Sequence, residues 1–250
     1  MKTKDAMLIY KAWLETRWRF LAGLALLVAL IFYTVFQAPT VIKAREEFRG
    51  EHIVYAQYIW ILLYKGYFQA LWILAAVMLG LGGLWREKSS GAAGFTLSLP
   101  VSRRRLILVR SIIGAAEAIT LAIVPCTLIW AISPLAGYSY PLGQAVSHSV
   151  LIVGGGLIFY AWGLLLSHLM QGEFSTPTLA LSVCLVLFIA FKLLRLEIYN
   201  PFDLMSGKYY LDPNTFLLNG ALPWQPLIFF LGITIVIATA SIRIAEVRDF

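Results

Sequence analysis

Glu117 is the residue whose type and position most invite a chemical role. It is the one acid in the apolar stretch 106–132. Counted from Leu106 along a helix it lies about 16 Å in, near the middle of a bilayer. A charged carboxylate at that depth must face protein or carry a proton. Arg110, Gly114 and Glu117 follow i, i+4, i+7 spacing and share one helix face, where Gly114 lets a second helix approach closely. Two roles are open for this group: a pathway or gating position, or a buried polar tie between helices.

Other candidate chemistry fails on spacing. His148 and His168 stand at opposite ends of one apolar stretch and His52 lies in a polar loop, so the three histidines cannot share a metal. No metal site is expected. Cys126 and Cys184 both sit in apolar runs and read as small buried hydrophobes. The Glu46-Glu47-Phe48-Arg49 run has the wrong spacing for an intramembrane protease, and no GxSxG nucleophile turn occurs. Gly80-Leu81-Gly82-Gly83 lacks the Lys-Ser/Thr ending of a phosphate-binding loop. The chain is therefore expected to be no enzyme and to bind no cofactor itself.

The elements that hold these residues follow from composition. Of 250 residues, 60% are hydrophobic and only 13% are charged, too few to clothe a soluble protein of this size. Mean hydropathy is +0.79. The expected fold is an all-α membrane protein, with no room for a large extramembrane catalytic domain. Apolar stretches predict six transmembrane helices at about 20–37, 59–84, 106–132, 146–169, 178–194 and 224–242. The chain reads as one transmembrane domain, 1–250.

Residues 1–19 carry their own pattern. Ala6, Ile9, Tyr10, Trp13 and Leu14 recur at helical spacing, with Lys4, Lys11, Glu15 and Arg19 opposite. This predicts an amphipathic helix lying along the membrane surface. Residues 38–58 read as a charged external loop. Residues 195–223, rich in aromatic residues and proline, predict an external re-entrant-like segment folded back onto the membrane face. Lys65, Arg110 and Lys192 lie toward span ends and are expected to snorkel to headgroups.

Lys and Arg set the orientation. With the N-terminus inside, twelve fall in the two termini and the loop after the second span, against five outside. Both termini are thus expected in the cytoplasm. The net charge of +7 marks that side of a lipid bilayer; no nucleic-acid partner is expected.

The connection 85–105 is longer than a turn needs. It opens with charge (Trp85-Arg86-Glu87-Lys88), runs through small and apolar residues to Leu99, and closes on Pro100 and Arg103-Arg104-Arg105. Ser102 is a candidate N-cap for the third span. Apolar residues in such a loop need a surface to bury against, either bilayer or partner protein.

In this segment, Glu87-Lys-Ser-Ser-Gly91 followed by Leu97-Ser-Leu-Pro-Val-Ser-Arg103 resembles the signature of ABC-2-type transporter permeases. These are membrane-spanning subunits of ATP-binding cassette exporters. The resemblance is close over residues 85–110 and rests on layout elsewhere. It implies that 85–105 holds the coupling helix that docks on a separate ATPase subunit, with the N-terminal helix touching that subunit too. Leu97, Leu99 and Pro100 would supply the apolar contact, and Glu87, Arg103, Arg104 and Arg105 its charged rim. It also implies a second permease copy or paralogue, ATP and Mg held by the partner, and a bacterial inner (cytoplasmic) membrane location. Two other readings stay open: an ion-coupled secondary transporter or channel using Glu117, and a non-transporting immunity or anchor protein.

Overall fold

The computed structural model describes residues 2–50, 52–81, 102–170, 175–194 and 199–247. It is built from helices: α1 (Lys2–Arg49), α2 (Tyr55–Ile59), α3 (Tyr67–Gly80), α4 (Arg103–Ile132), α5 (Leu142–Leu169), α6 (Ser175–Leu194), α7 (Pro201–Ser206) and α8 (Trp224–Val247). Among the described residues, β structure is confined to one antiparallel bridge, Leu211 to Leu218. Six helices are long and apolar enough to cross a membrane, with α2 and α3 together making the second.

Helix α5 is the axis of the bundle. Its most apolar window is 72% buried, against 17% for the corresponding windows of α6 and α8. Three consecutive glycines let neighbours converge on it from different sides. A Cβ at Gly154 would collide with Leu227 of α8, at Gly155 it would crowd Leu204 and Met205 of α7, and at Gly156 it would enter the Trp72 ring of α3. Further along, a Cβ at Gly163 would lie 2.6 Å from the Val77 carbonyl oxygen, so α3 and α5 meet backbone to backbone. Helix α1 adds an inward stripe of Leu27, Ile31, Val35 and Ala38, all buried. On α6, Leu185, Val186 and Ile189 point outward, as residues facing lipid tails do.

Two expected boundaries are absent. Residues 2–19 form no separate helix, and 38–49 form no loop: both belong to α1, which runs 48 residues, about 72 Å. A hydrocarbon core of about 30 Å leaves it projecting beyond the bilayer. Pro39 does not stop it. The second span, expected unbroken from 59, is interrupted. After α2 comes a π-helical turn over Trp60–Tyr64, then Lys65-Gly66, then α3. A Cβ at Gly66 would lie 2.7 Å from the Leu62 carbonyl oxygen, so the chain turns there because the residue is glycine.

Candidate functional site

Polar side chains gather at two ends of the bundle. The first is the end where the chain termini lie, as the Arg104–Glu246 contact (Nε to Oε1, 3.3 Å) between the start of α4 and the end of α8 shows. Here the early part of α1 buries apolar and polar residues together on one face. Ile9 and Tyr10 are exposed, whereas Leu8, Ala12, Thr16 and Phe20 are buried. Glu15 faces the protein and pairs with Arg110 of α4 (3.3 Å) and with Lys11 one turn earlier (3.6 Å). Arg19 donates to the carbonyl oxygens of Met78 (3.0 Å) and Leu81 (2.6 Å), which close the end of α3. A cation there satisfies carbonyls that a helix C-terminus leaves open and complements its dipole. The expected polar face is thus an inward-facing one. Polar groups next to lipid find partners in protein.

Arg110 does not snorkel. Its pairing with Glu15 leaves the arginine side chain 13% exposed. The Lys65 ammonium lies 5.0 Å over the Trp60 ring. Glu117 is 4% exposed, and its Oε1 stands 2.5 Å from the Thr16 hydroxyl. Its Oε2 is buried without a hydrogen-bond partner among the described residues. The shared face of Arg110, Gly114 and Glu117 is present but divided. Its two ionic groups meet α1, and Gly114 accommodates Tyr160 of α5, whose hydroxyl donates to the Ser111 carbonyl (2.9 Å). Glu117 lies beside Tyr160 of α5, about 14 Å along that helix from its end at Leu169.

Ser102 caps α4 as expected, its hydroxyl accepting from the Arg105 backbone N–H (3.4 Å). Arg104 and Arg105 are exposed in the first turn of that helix. Glu87, Leu97, Leu99 and Pro100 lie outside the described residues, as does the side chain of Arg103.

The second polar region surrounds α7. Part of the segment expected to be external and re-entrant-like, α7, packs among the spans. Phe202, Leu204, Met205 and Ser206 are all buried. The Phe202 ring sits 5.1 Å from Phe159, which is about 26 Å along α5 from Leu142. Backbone at such depth needs internal hydrogen-bond partners, and side chains of the spans supply them. Gln69 Nε2 donates to the Phe202 carbonyl (2.6 Å), and Trp60 Nε1 donates to the Ser206 carbonyl (2.7 Å). Asn200 caps α7 through Oδ1, which accepts from the Phe202 N–H (3.0 Å). Farther out, Gln144 at the start of α5 holds both backbone groups of Leu218: it donates to the carbonyl (3.1 Å) and accepts from the N–H (2.8 Å). Phe216 adopts a φ of 54°, a costly conformation for a bulky residue, with its ring 5.9 Å from Trp60. On the surface, Lys208 donates to the Tyr209 hydroxyl (3.1 Å), which donates to Asp203 (3.2 Å). The hydroxyl first, and then the carboxylate, hold the ammonium above its ordinary range.

His148 and His168 serve separate neighbours. His148 stacks on Tyr64 (3.7 Å) and bonds the Gln144 carbonyl through Nδ1 (2.9 Å). His168 Nδ1 meets Ser241 of α8 (2.9 Å). Among the described residues no three His, Cys, Asp or Glu side chains converge on a common point. Thr16, Trp60, Gln69 and Gln144 were not singled out by sequence. The two glutamines carry a signal, polar amides within or beside apolar runs, whereas Thr16 carries none. Comparison with known proteins yields no matching family model and no matching curated protein.

Proposed function

We propose that this chain is the permease subunit of an ATP-driven ABC-2-type exporter. Two copies, or one copy with a paralogue, form the substrate path, and separate ATPase subunits hold ATP and Mg. The observation that carries the reading is the 87–103 sequence signature between α3 and α4. Its setting supports a coupling role. The helix before it is fastened to α1 by Arg19, and the helix after it by the Arg110–Glu15 pair. A push on 85–105 by an ATPase subunit would therefore move α1, α3 and α4 together.

In this reading Leu97, Leu99 and Pro100 enter an apolar groove of the ATPase, while Glu87, Arg103, Arg104 and Arg105 make its charged rim. Both termini then lie in the cytoplasm of a bacterial cell. The test is a charge reversal of Arg103, Arg104 and Arg105 to Glu, read as co-purification of the ATPase and as ATP-dependent export. Loss of either supports coupling through this segment; unchanged levels of both overturn it.

A second reading draws on Glu117, whose buried Oε2 lacks a partner among the described residues. An ion-coupled transporter would use that carboxyl to take up and release a cation. Glu117→Gln keeps the shape and removes the titration. Abolished transport with normal folding favours the ion-coupled reading, whereas retained ATP-driven transport assigns Glu117 to tying α4 to α1.

A further inference from the structure

The outward side of early α1 carries a group that neither the bundle nor the exporter reading uses. Arg17 and Trp18 stand just ahead of Arg19 and the uncharged run 20–42, the part of α1 that suits the hydrocarbon. Two residues earlier, Glu15 closes the ion pairs with Lys11 and Arg110. Arg17 and Trp18 therefore stand where paired charges give way to apolar neighbours, which is headgroup level. Their neighbours Thr16 and Arg19 turn inward, to Glu117 and to the end of α3. Trp18 turns outward and is 70% exposed, on the same side as Met7, Tyr10 and Leu21. The Arg17 guanidinium is held 5.2 Å over the Trp18 ring. Its Nε is shielded from solvent and has no hydrogen-bond partner among the described residues.

A guanidinium positioned by an aromatic ring and lacking an acceptor is a ready fork for a phosphate. At this depth the phosphate on offer belongs to a phospholipid. At the same end Arg104 and Arg243 share the one carboxylate of Glu246, an excess of cation over acid in that cluster. That excess favours a headgroup with net negative charge over a zwitterionic one. We propose that Arg17 and Trp18 form a binding site for an anionic phospholipid, with the phosphate on the guanidinium and the acyl chains along Leu21 and the outward face of α1. This proposal stands apart from the exporter reading, since it needs only the bilayer and the orientation of α1.

The full chain is reconstituted in phosphatidylcholine vesicles doped with brominated phosphatidylglycerol or, separately, brominated phosphatidylcholine. The contribution of Trp18 to fluorescence quenching is the difference between the protein and Trp18→Phe. We expect Trp18 to be quenched at about fivefold lower content of the anionic lipid, the preference one basic residue confers at a membrane surface. Arg17→Gln should erase that preference, and Arg17→Lys should keep part of it. Quenching of the other tryptophans by brominated phosphatidylcholine, unchanged in both variants, verifies the fold. Equal quenching by the two lipids in the unmodified protein, or a preference that survives Arg17→Gln, overturns the site.

Discussion

The two polar regions of this bundle are fastened by different chemistry. At the end that holds the termini, charged side chains meet one another across helices: Glu15 with Arg110, and Arg104 with Glu246. Around α7, the spans reach the backbone through neutral donors and acceptors, namely Trp60, Gln69 and Gln144. The difference follows depth and dielectric. Charges are tolerable where headgroups and water are near, whereas a carbonyl among apolar helices needs only one good neutral donor, with no ion to desolvate. It also separates mechanical roles. The charged region ties three long helices into one unit, while the neutral one holds a short inserted segment in place.

The comparison can be broken or sharpened by substitution. The largest effect is expected outside both regions, where the frame they share is built. Gly163→Val pushes α5 off the Val77 carbonyl, and backbone cannot yield as a side chain can. We expect a loss of about 3 kcal/mol, read as the midpoint of denaturation in detergent by helical circular dichroism. A loss under about 0.5 kcal/mol would mean that α3 and α5 do not meet through their backbones.

Next comes the charged region. Arg110→Ala removes the α4 partner of the partly buried Glu15, which keeps Lys11, and should cost about 2 kcal/mol, discounted for the exposure of both groups. A double-mutant cycle with Glu15→Ala should return a coupling near 1 kcal/mol that shrinks in high salt. Zero coupling would place the two residues apart.

The smallest effect belongs to the neutral region. Gln144→Ala removes two hydrogen bonds to Leu218 and should cost about 1 kcal/mol, independent of salt. The loss should be local: faster amide exchange at residues 210–219, with α5 unaffected. Faster exchange throughout the bundle would show that Gln144 supports the whole frame.

Much of this was legible in the residues. Long apolar runs foretold six spans, because the length of a helix that crosses a bilayer is set by bilayer thickness. Ser102 foretold its cap, because a hydroxyl there has one obvious backbone donor to accept from. Gly114 foretold a close approach, though not that Tyr160 would be what approaches. Other features were hidden. A break at Gly66 leaves little trace in an apolar run that could continue as a helix. The insertion of α7 depends on partners far away in the chain, such as Gln69 and Trp60, that no local pattern connects to it. Arg110 looked like a snorkelling residue because its partner Glu15 lies in another helix.

By itself the sequence determined the solvent: a chain this apolar, with charges confined to short stretches, belongs in a bilayer, and its apolar lengths count the helices. It also determined the uncharged stretch of α1, between Arg19 and Lys43. Tertiary structure alone decided which way each face turns. In water an apolar stripe identifies the buried side, because burial is what drives packing. In a membrane the lipid tails are as apolar as the core, so the stripe is silent and packing and polar partners choose instead. That is why Ile9 and Tyr10 lie outside while Glu15 and Thr16 lie within.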